Sequence, residues 1–369
     1  MSAQKQILEQ YLKARFSDKP ALSITRLNKL ADGWESDNYL LTVEYGGVQH
    51  TRAYWVWRIY SGVGSQAKAA WEYKSMESLL GAGYPVPRVF LLETEHSPVD
   101  RPFIIMEYIQ GETMWNLLDK VSTDRQLQLI DQFCQLFVQL HALDWKRFDD
   151  SLSVDNPFFF IDRWLNEARG MLQNFPEIDG SPFLEWVATR RDLLACVRPS
   201  PVHQDFHPGN ILVKVDDIAI VIDWTAFDVT DARFDLAWTL VLAHAHGWPG
   251  LHAQILQGYQ RHAREPAEQI EAFEAIACAR RLLDLTVSLT QGAQRMGMNE
   301  QATPMQCAPV WKLTGGSIVF LSNALGYRSK YSITCLESPN HENKAIYIFV
   351  RFACHHQPAY ALCLHRLPI

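Results

Sequence analysis

The sequence predicts an α+β fold in which a small antiparallel sheet with one helix is followed by a larger, mainly helical region. Short apolar runs between turn-forming residues fill the first hundred or so positions, a pattern typical of strands. After Gly111 the apolar residues recur at helical spacing. The helical pattern is interrupted once, at residues 202–224, by two short β-type runs.

Five strands and one helix are expected in the N-terminal region. The strands are predicted at residues 22–30, 39–45, 52–60, 86–92 and 103–108. Turn-forming residues at positions 31–38 separate the first two strands, and a Gly-Gly turn at positions 46–47 separates the second from the third. The helix is predicted over residues 65–80, because Gly81, Gly83 and Pro85 follow its apolar pattern.

Helices dominate the rest of the chain. They are predicted over residues 124–143, 161–172, 183–197, 234–245 and 266–293. From Gln301 onward no regular period persists, charged residues become sparse, and four of the seven cysteines occur. Residues 304–369 are therefore predicted to be an atypical tail that packs poorly, with a small appended unit as the alternative.

Composition narrows the class of protein. A chain of 369 residues has room for two or three packed units. Its formal net charge of −7 argues against a nucleic-acid binder, which needs a basic face. There is no run of 18 uncharged apolar residues, no secretory pattern at the N-terminus and no paired CxxC spacing among the cysteines. We therefore expect a cytoplasmic protein with reduced thiols and no membrane partner.

A candidate catalytic segment reads HQDFHPGN at residues 203–210 and continues into a predicted β-hairpin. If Asp216 and Asp217 form a two-residue turn, Asn210 and Asp223 lie directly opposite each other, with Cβ atoms roughly 5 Å apart. An amide oxygen and a carboxylate at that separation suit a hard cation such as Mg²⁺. Asp205 precedes this pair on the same loop, where a carboxylate could accept or orient the proton of an acceptor hydroxyl.

These residues resemble the aminoglycoside phosphotransferase-like kinases, which are relatives of choline kinase and, more distantly, of protein kinases. The family carries a pattern close to HGDxHxxN, a short hairpin, and then a hydrophobic residue followed by Asp-Trp or Asp-Phe. Here Gln204 stands where Gly is usual, and VIDW ends at Trp224. The resemblance implies a two-lobed protein-kinase-like fold, Asp205 as the catalytic base, and Asn210 and Asp223 as Mg²⁺ ligands.

The resemblance also implies a nucleotide site in the N-terminal region. Arg58, in the third predicted strand, is expected to bind phosphate oxygens with its planar fork and to pair with Glu72 of the helix, with Glu77 as the second choice. ATP is the expected nucleotide, and GTP is the alternative. A solvent-facing arginine on an edge strand is the competing interpretation.

Two further contacts with the nucleotide are expected. Gly33, Ser36 and Asn38 lie in the predicted turn that would cover the phosphates, although a plain hairpin turn fits the same residues. Glu107 and Ile109 lie where related kinases connect their lobes and contact the adenine through main-chain groups.

The lobes implied by the resemblance are residues 1–107 for the nucleotide, a hinge at 108–112, and residues 113–303 for catalysis and substrate, followed by the tail. The predicted function is Mg²⁺-dependent transfer of phosphate to the hydroxyl of a small molecule. The wider family that this chain resembles uses aminoglycosides, amino alcohols, homoserine, sugars and hydroxyacyl thioesters as acceptors. The sequence does not select among them, and it leaves the oligomeric state open. A weak or regulatory pseudokinase is the main alternative. A protein kinase is disfavoured, because HRD, DFG and Ala-Pro-Glu elements are missing.

Overall fold

The computed structural model describes residues 2–32, 36–47, 49–152, 155–174, 180–245, 250–291, 311–314, 317–320, 331–337 and 346–352. The chain forms two compact units. The first comprises Met1–Asp150, Pro201–Val229 and Leu283–Pro304, and the second comprises Ser151–Ser200, Thr230–Leu282 and Met305–Ile369. The α+β class is confirmed, because an antiparallel sheet occupies the N-terminal part of the chain and helices predominate afterwards.

Apart from the first helix, the elements of the N-terminal part follow the predicted order. They are α1 (Ser2–Arg15), β1 (Ser23–Asp32), β2 (Ser36–Tyr45), β3 (Thr51–Tyr60), α2 (Ser65–Gly81), β4 (Val89–Glu93) and β5 (Phe103–Glu107). The five strands form one antiparallel sheet in the order β1-β2-β3-β5-β4. β3 is therefore a central strand rather than the edge strand that the competing interpretation of Arg58 requires.

The sheet carries two helices, whereas the sequence predicted one. Leu8 and Leu12, one helical turn apart on α1, are fully buried and belong to the apolar cluster of the sheet. Burying a leucine stabilises a fold by about 1.5–3 kcal/mol relative to leaving it exposed. This packing explains why a helix with a modest apolar face forms at the start of the chain.

Side-chain alternation along β3 separates its packing face from its polar face. Trp55, Trp57 and Ile59 belong to the apolar cluster. Since successive side chains of a strand point to opposite faces, Arg58 and Tyr60 lie together on the other face. Both are buried there. The strand pattern thus fixes the side of the sheet on which the candidate site is built.

The first unit continues with β6 (Gly111–Thr113), α3 (Met114–Leu118) and α4 (Thr123–Ala142), and later with β8 (Ile211–Lys214) and β9 (Ala219–Val221). Ser122 caps α4 by accepting a hydrogen bond from the Arg125 N–H. The helix buries its predicted apolar face, which includes Phe133 and Phe137. β6, β8 and β9 form a small antiparallel sheet in the order β6-β8-β9.

The second unit holds most of the later helices. They are α5 (Phe159–Leu172), α6 (Ser181–Ala188), α7 (Ala232–Ala245) and α8 (Leu251–His262), together with the part of α9 (Ile270–Gln291) up to Leu282. The sequence predicted one helix at residues 183–197, but α6 ends at Ala188 and a short 3₁₀ turn follows at Arg191–Leu194. It did not predict α8. Two short strands, β7 (Pro199–Val202) and β10 (Asp228–Asp231), each contain a point where the chain passes between the units.

The tail contains backbone strands although its sequence shows no strand period. They are β11 (Trp311–Thr314), β12 (Ser317–Phe320), β13 (Tyr331–Glu337) and β14 (Ile346–Phe352), paired antiparallel in that order. The prediction that residues 304–369 pack poorly concerns side chains outside the described residues, and it stays a prediction together with the lobe boundaries. Within the described part of the chain, no helix is both long enough and apolar enough to cross a membrane.

Candidate active site

A buried ion-pair network connects the sheet, helix α2 and the segment after β9. The Arg58 Nε lies 3.2 Å from Glu72 Oε2, and the Arg58 Nη2 donates to Asp223 Oδ1 at 2.7 Å. The side chains of Arg58 and Glu72 are 10% and 1% exposed, whereas that of Asp223 is 40% exposed. Arg58 is thus fixed by one buried and one half-exposed carboxylate. The expected pairing with Glu72, rather than with Glu77, is present.

The electrostatics of the network keep Arg58 and Asp223 ionised. Burial opposes the charge of Arg58, but Glu72 and Asp223 raise its pKa above the ordinary value. Burial alone would raise the pKa of Asp223, but the adjacent guanidinium lowers it. The pKa of Glu72 is raised, first by burial, and the charge of Asp223 adds to the effect against the attraction of Arg58. Burial therefore disfavours the ionised form of Glu72, and Arg58 opposes that effect.

Three contacts of α2 were not predicted from the sequence. The Tyr60 hydroxyl donates to Glu72 Oε2, and the Trp224 N–H donates to Glu72 Oε1 at 3.2 Å. One residue before Glu72, the Trp71 Nε1–H donates to the Phe227 carbonyl at 2.8 Å. The helix is therefore fastened to the chain after Asp223 at two places. The position of Tyr60, two residues after Arg58 on one strand, is the sequence signal that could have revealed its contact.

Aromatic packing holds the loop that carries Asp205. His203 is fully buried, its ring lies 4.5 Å from that of Trp224, and its Nε2 lies 3.0 Å from the Ile222 carbonyl oxygen. Phe206, on the other side of Asp205, stacks on Phe137 of α4 with centroids 4.1 Å apart. These two anchors fix the backbone on both sides of Asp205, whose own side chain is 45% exposed.

Asn210 contacts Asp205 directly. Its Nδ2 donates to the Asp205 carbonyl at 3.0 Å and lies 3.4 Å from Asp205 Oδ2. The charge of Asp205 also acts on Asp223, where it works to raise the pKa. Asp205, Asn210 and Asp223 therefore share one electrostatic environment at the end of the β8–β9 hairpin.

The predicted register of this hairpin is wrong by one residue. Ile211 pairs with Val221, and the Ile222 N–H donates to the Asn210 carbonyl at 3.0 Å, so Asn210 lies opposite Ile222 rather than Asp223. The turn has three residues, because Lys214 pairs with Ile218 and only Asp217 adopts a positive φ, 62°. A two-residue type I′ turn needs positive φ at both central residues, which Asp-Asp supports poorly. Asp223 itself adopts a φ of 68°, so its direction does not follow the strand pleat.

The donor chemistry of the site fits Mg²⁺. Two carboxylates and one amide supply hard oxygen ligands, which Mg²⁺ prefers. Among the residues that the structure describes, no group of three or more His, Cys, Asp and Glu side chains could hold a metal ion alone. Mg²⁺ is usually bound by one or two carboxylates together with substrate phosphates rather than by a cage made only of protein. The set of Asn210 and Asp223, with Asp205 beside it, matches that mode.

The expected phosphate-covering turn is shorter than predicted. Gly33 lies outside the described residues, and Ser36 and Asn38 lie within strand β2 rather than in the turn. Strand β2 extends back to Ser36 because Ser36 pairs with Tyr60 of β3. Asn38 is the register partner of Arg58, and its Oδ1 is buried without a hydrogen-bond partner. Asn38 thus places an unpaired polar atom next to the network.

The expected hinge lies at the end of β5. Glu107 is its last residue, and Ile109, two residues later, is buried. The Glu107 N–H donates to the Arg88 carbonyl at 2.8 Å. The Glu107 N–H is therefore already hydrogen-bonded within the protein.

The chain is similar in sequence to a family of phosphotransferases and to part of a mouse protein. A family model described as "Phosphotransferase enzyme family" matches residues 26–270. Acyl-CoA dehydrogenase family member 10 of Mus musculus is 23% identical over 175 residues. That match spans 46% of this chain and only 16% of the length of the mouse protein.

Solved structures share the fold. Macrolide 2′-phosphotransferase MphH from Brachybacterium faecium is similar with a TM-score of 0.55 and 18% identity, over 80% of this chain and 97% of that one. The streptomycin–ATP–APH(2″)-IIa ternary complex is similar with a TM-score of 0.53 and 19% identity, over 81% and 96%. Structures of similar fold also include complexes with ADP and with GDP.

Proposed function

Since this chain belongs to the phosphotransferase enzyme family, we propose that it transfers the terminal phosphoryl group of ATP to the hydroxyl of a small molecule. The proposal depends mainly on one observation. Asp205, Asn210 and Asp223 lie close together, and Asp223 contacts the guanidinium of Arg58, which Glu72 also binds. Phosphoryl transfer depends on positioning and on neutralising charge, and these groups serve both needs.

Arg58 would bind phosphate oxygens of the nucleotide. Its guanidinium stays charged at every physiological pH, because Glu72 and Asp223 raise its pKa. Asn210 and Asp223 would hold Mg²⁺, which, when bound, neutralises charge on the phosphates. The lowered pKa of Asp223 keeps this carboxylate ionised and therefore able to act as a ligand.

Asp205 would accept or orient the proton of the acceptor hydroxyl. The hydrogen bond from the Asn210 Nδ2–H to the Asp205 carbonyl and the aromatic anchors on both sides limit the movement of its backbone. Because the carboxylate is already fixed, less entropy is lost when the hydroxyl is aligned with the phosphorus atom.

The nucleotide would contact the main chain at Glu107 and Ile109, and polar groups of Ser36, Asn38 and the Gly33 turn would lie near its phosphates. Ser36 and Asn38 suit this place because a hydroxyl and an amide N–H can each donate to a phosphate oxygen, and Asn38 is the register partner of Arg58. Complexes of similar proteins contain ATP, ADP or GDP. ATP is our first choice and GTP the second.

The acceptor is the least constrained part of the proposal. Similar structures are complexes or enzymes of aminoglycosides and macrolides, and the mouse relative carries the name of an acyl-CoA dehydrogenase. An acceptor panel should therefore include an aminoglycoside, a macrolide, choline, a sugar, homoserine and a hydroxyacyl-CoA thioester. We propose a cytoplasmic enzyme that uses neither a membrane nor a nucleic acid as its partner.

The test is nucleotide turnover with purified protein. ADP release and phosphorylated product are measured for each acceptor with Mg²⁺, for wild type and for Asp205→Ala. We expect at least one acceptor to raise ADP release above the background rate, and Asp205→Ala to lose about 10²–10⁴-fold in kcat, the contribution typical of a general base.

Asp192→Ala is the matched control, because the Asp192 side chain is 90% exposed, and it should leave the rate unchanged. Phosphate transfer by Asp205→Ala at the wild-type rate would show that the role of Asp205 is wrong. Nucleotide binding without transfer to any acceptor would favour the pseudokinase alternative. Transfer to a protein substrate alone would favour a protein kinase.

A further inference from the structure

The ring of His207 is held in one tautomer by the main chain of the loop. The Gly209 N–H donates to His207 Nδ1 at 3.0 Å. A nitrogen that accepts a hydrogen bond carries no hydrogen of its own, so in the neutral ring the hydrogen lies on Nε2. The main chain therefore decides which edge of the imidazole is the donor.

That donor edge faces the carboxylate of Asp205. His207 Nε2 lies 3.6 Å from Asp205 Oδ2, and Asn210 Nδ2 lies 3.4 Å from the same oxygen. Both distances exceed that of an ordinary hydrogen bond. Catalytic hydrogen bonds are often long before substrate binds and shorten in the reactive complex. Two N–H groups thus approach one oxygen of the proposed catalytic base.

The loop is shaped to accept the His207 ring at this place. A Cβ at position 209 would lie 2.7 Å from His207 Cε1, 2.9 Å from His207 Nδ1 and 2.9 Å from Trp115 Cδ1. A side chain larger than that of glycine would therefore push the ring or the indole away. The His207 side chain is only 26% exposed. Gly209 and Trp115 together confine the ring beside Asp205.

We propose that His207 is a positioning residue for phosphoryl transfer. Its Nε2–H fixes the rotation of the Asp205 carboxylate, so that the base meets the acceptor hydroxyl in one orientation. His207 donates this hydrogen bond and transfers no proton in the reaction. This inference rests on the proposed function, and it adds a residue to which neither the family pattern nor the sequence gave a role in catalysis.

Two substitutions test the Nδ1 edge and the Nε2 edge of the ring separately. In His207→Asn the side-chain oxygen can reach the place of Nδ1 and keep the contact with the Gly209 N–H, but no donor reaches Asp205. In His207→Gln the longer amide can place its nitrogen near the position of Nε2 and keep the donor. Both variants carry an amide, but only His207→Gln keeps a donor near Asp205. Comparing them therefore tests the contribution of the donor edge.

We expect His207→Asn to lower kcat about tenfold, which corresponds to about 1.4 kcal/mol of transition-state free energy, and to change the KM of nucleotide and acceptor less than twofold. His207→Gln should keep kcat within about threefold of wild type. Each kcat is normalised to the concentration of folded protein, counted by calorimetric titration with a non-hydrolysable ATP analogue. This normalisation keeps a loss of folding separate from a loss of catalysis.

Equal kcat values for both variants and wild type would overturn the inference, as would equal losses in both variants. A rise of KM alone would also overturn it, because a positioning residue acts after binding. Failure of the proposed function gives a different result, since the wild-type protein would then transfer phosphate to no acceptor.

Discussion

Arg58→Met tests whether the buried network is organised around one cation. Without Arg58, the carboxylate of Glu72 remains in a site where its side chain is 1% exposed. Removing one partner of a buried pair typically costs about 3–5 kcal/mol, because the remaining charge is uncompensated. The Asp223 side chain is 40% exposed, so solvent screens its charge and its lost partner adds little. We therefore expect the free energy of unfolding to fall by about 3–5 kcal/mol.

The free energy of unfolding that Arg58→Met loses should depend on pH, and the pKa of Glu72 gives the direction. Burial raises the pKa of Glu72 in the folded protein, and loss of Arg58 raises it further. Between the ordinary carboxyl pKa and this raised pKa, the folded state binds more protons than the unfolded state, so stability falls as pH rises. The deficit of Arg58→Met should therefore be larger at pH 8 than at pH 5.

Urea denaturation followed by tryptophan fluorescence measures both effects. Arg101→Met is the matched control: Arg101 lies 2.9 Å from Asp37, but its side chain is 37% exposed, so its loss should cost less than about 1 kcal/mol. Adding Glu72→Gln to Arg58→Met should recover at least half of the lost stability. The reasoning is refuted if Arg58→Met costs no more than the control, or if the two substitutions are additive.

Three other substitutions test two single contacts and one backbone conformation. Tyr60→Phe removes the hydroxyl that donates to Glu72 and should cost about 1–3 kcal/mol of unfolding free energy in urea, because a buried charged acceptor loses a donor; an unchanged midpoint would contradict this. Trp71→Phe keeps a ring beside Phe227 but removes the N–H bond to its carbonyl, and should cost about 1 kcal/mol in the same assay; no loss would show that the bond does not fasten α2. Gln204→Gly replaces a residue with a φ of 63°, a backbone conformation that glycine adopts with less strain. It should raise the free energy of unfolding by about 1 kcal/mol and therefore raise the melting temperature measured by calorimetry. A lower melting temperature would show that the Gln204 side chain stabilises the loop by more than its backbone conformation costs.

Local patterns predicted the elements of the sheet well. Alternation in residues 52–60 gave β3, and the same alternation places Arg58 and Tyr60 on one face. The Gly-rich end of α2 gave its boundary within one residue. In each case the deciding interaction lies between residues close in sequence, which a single chain reveals.

Features that depend on a single backbone angle or on distant contacts were missed. The hairpin register depends on the positive φ of Asp217, which makes the turn three residues long. The resulting shift of one residue places Asn210 opposite Ile222 rather than Asp223. Asn38 joined β2 because it pairs with Ala31 of β1 and with Arg58 of β3, and Ser36 joined because it pairs with Tyr60 of β3. The bond from Trp71 to Phe227 spans 156 residues along the chain. No local pattern contains that information.

The central claim is that Asn210 and Asp223 bind the divalent ion of a nucleotide beside Asp205. The most direct measurement is electron paramagnetic resonance of Mn²⁺, used in place of Mg²⁺, titrated into the protein with a non-hydrolysable ATP analogue. The account predicts one nucleotide-dependent Mn²⁺ site whose affinity falls at least tenfold in Asp223→Ala and in Asn210→Ala and stays unchanged in Asp192→Ala. Equal Mn²⁺ affinity in wild type and in both site variants would contradict it.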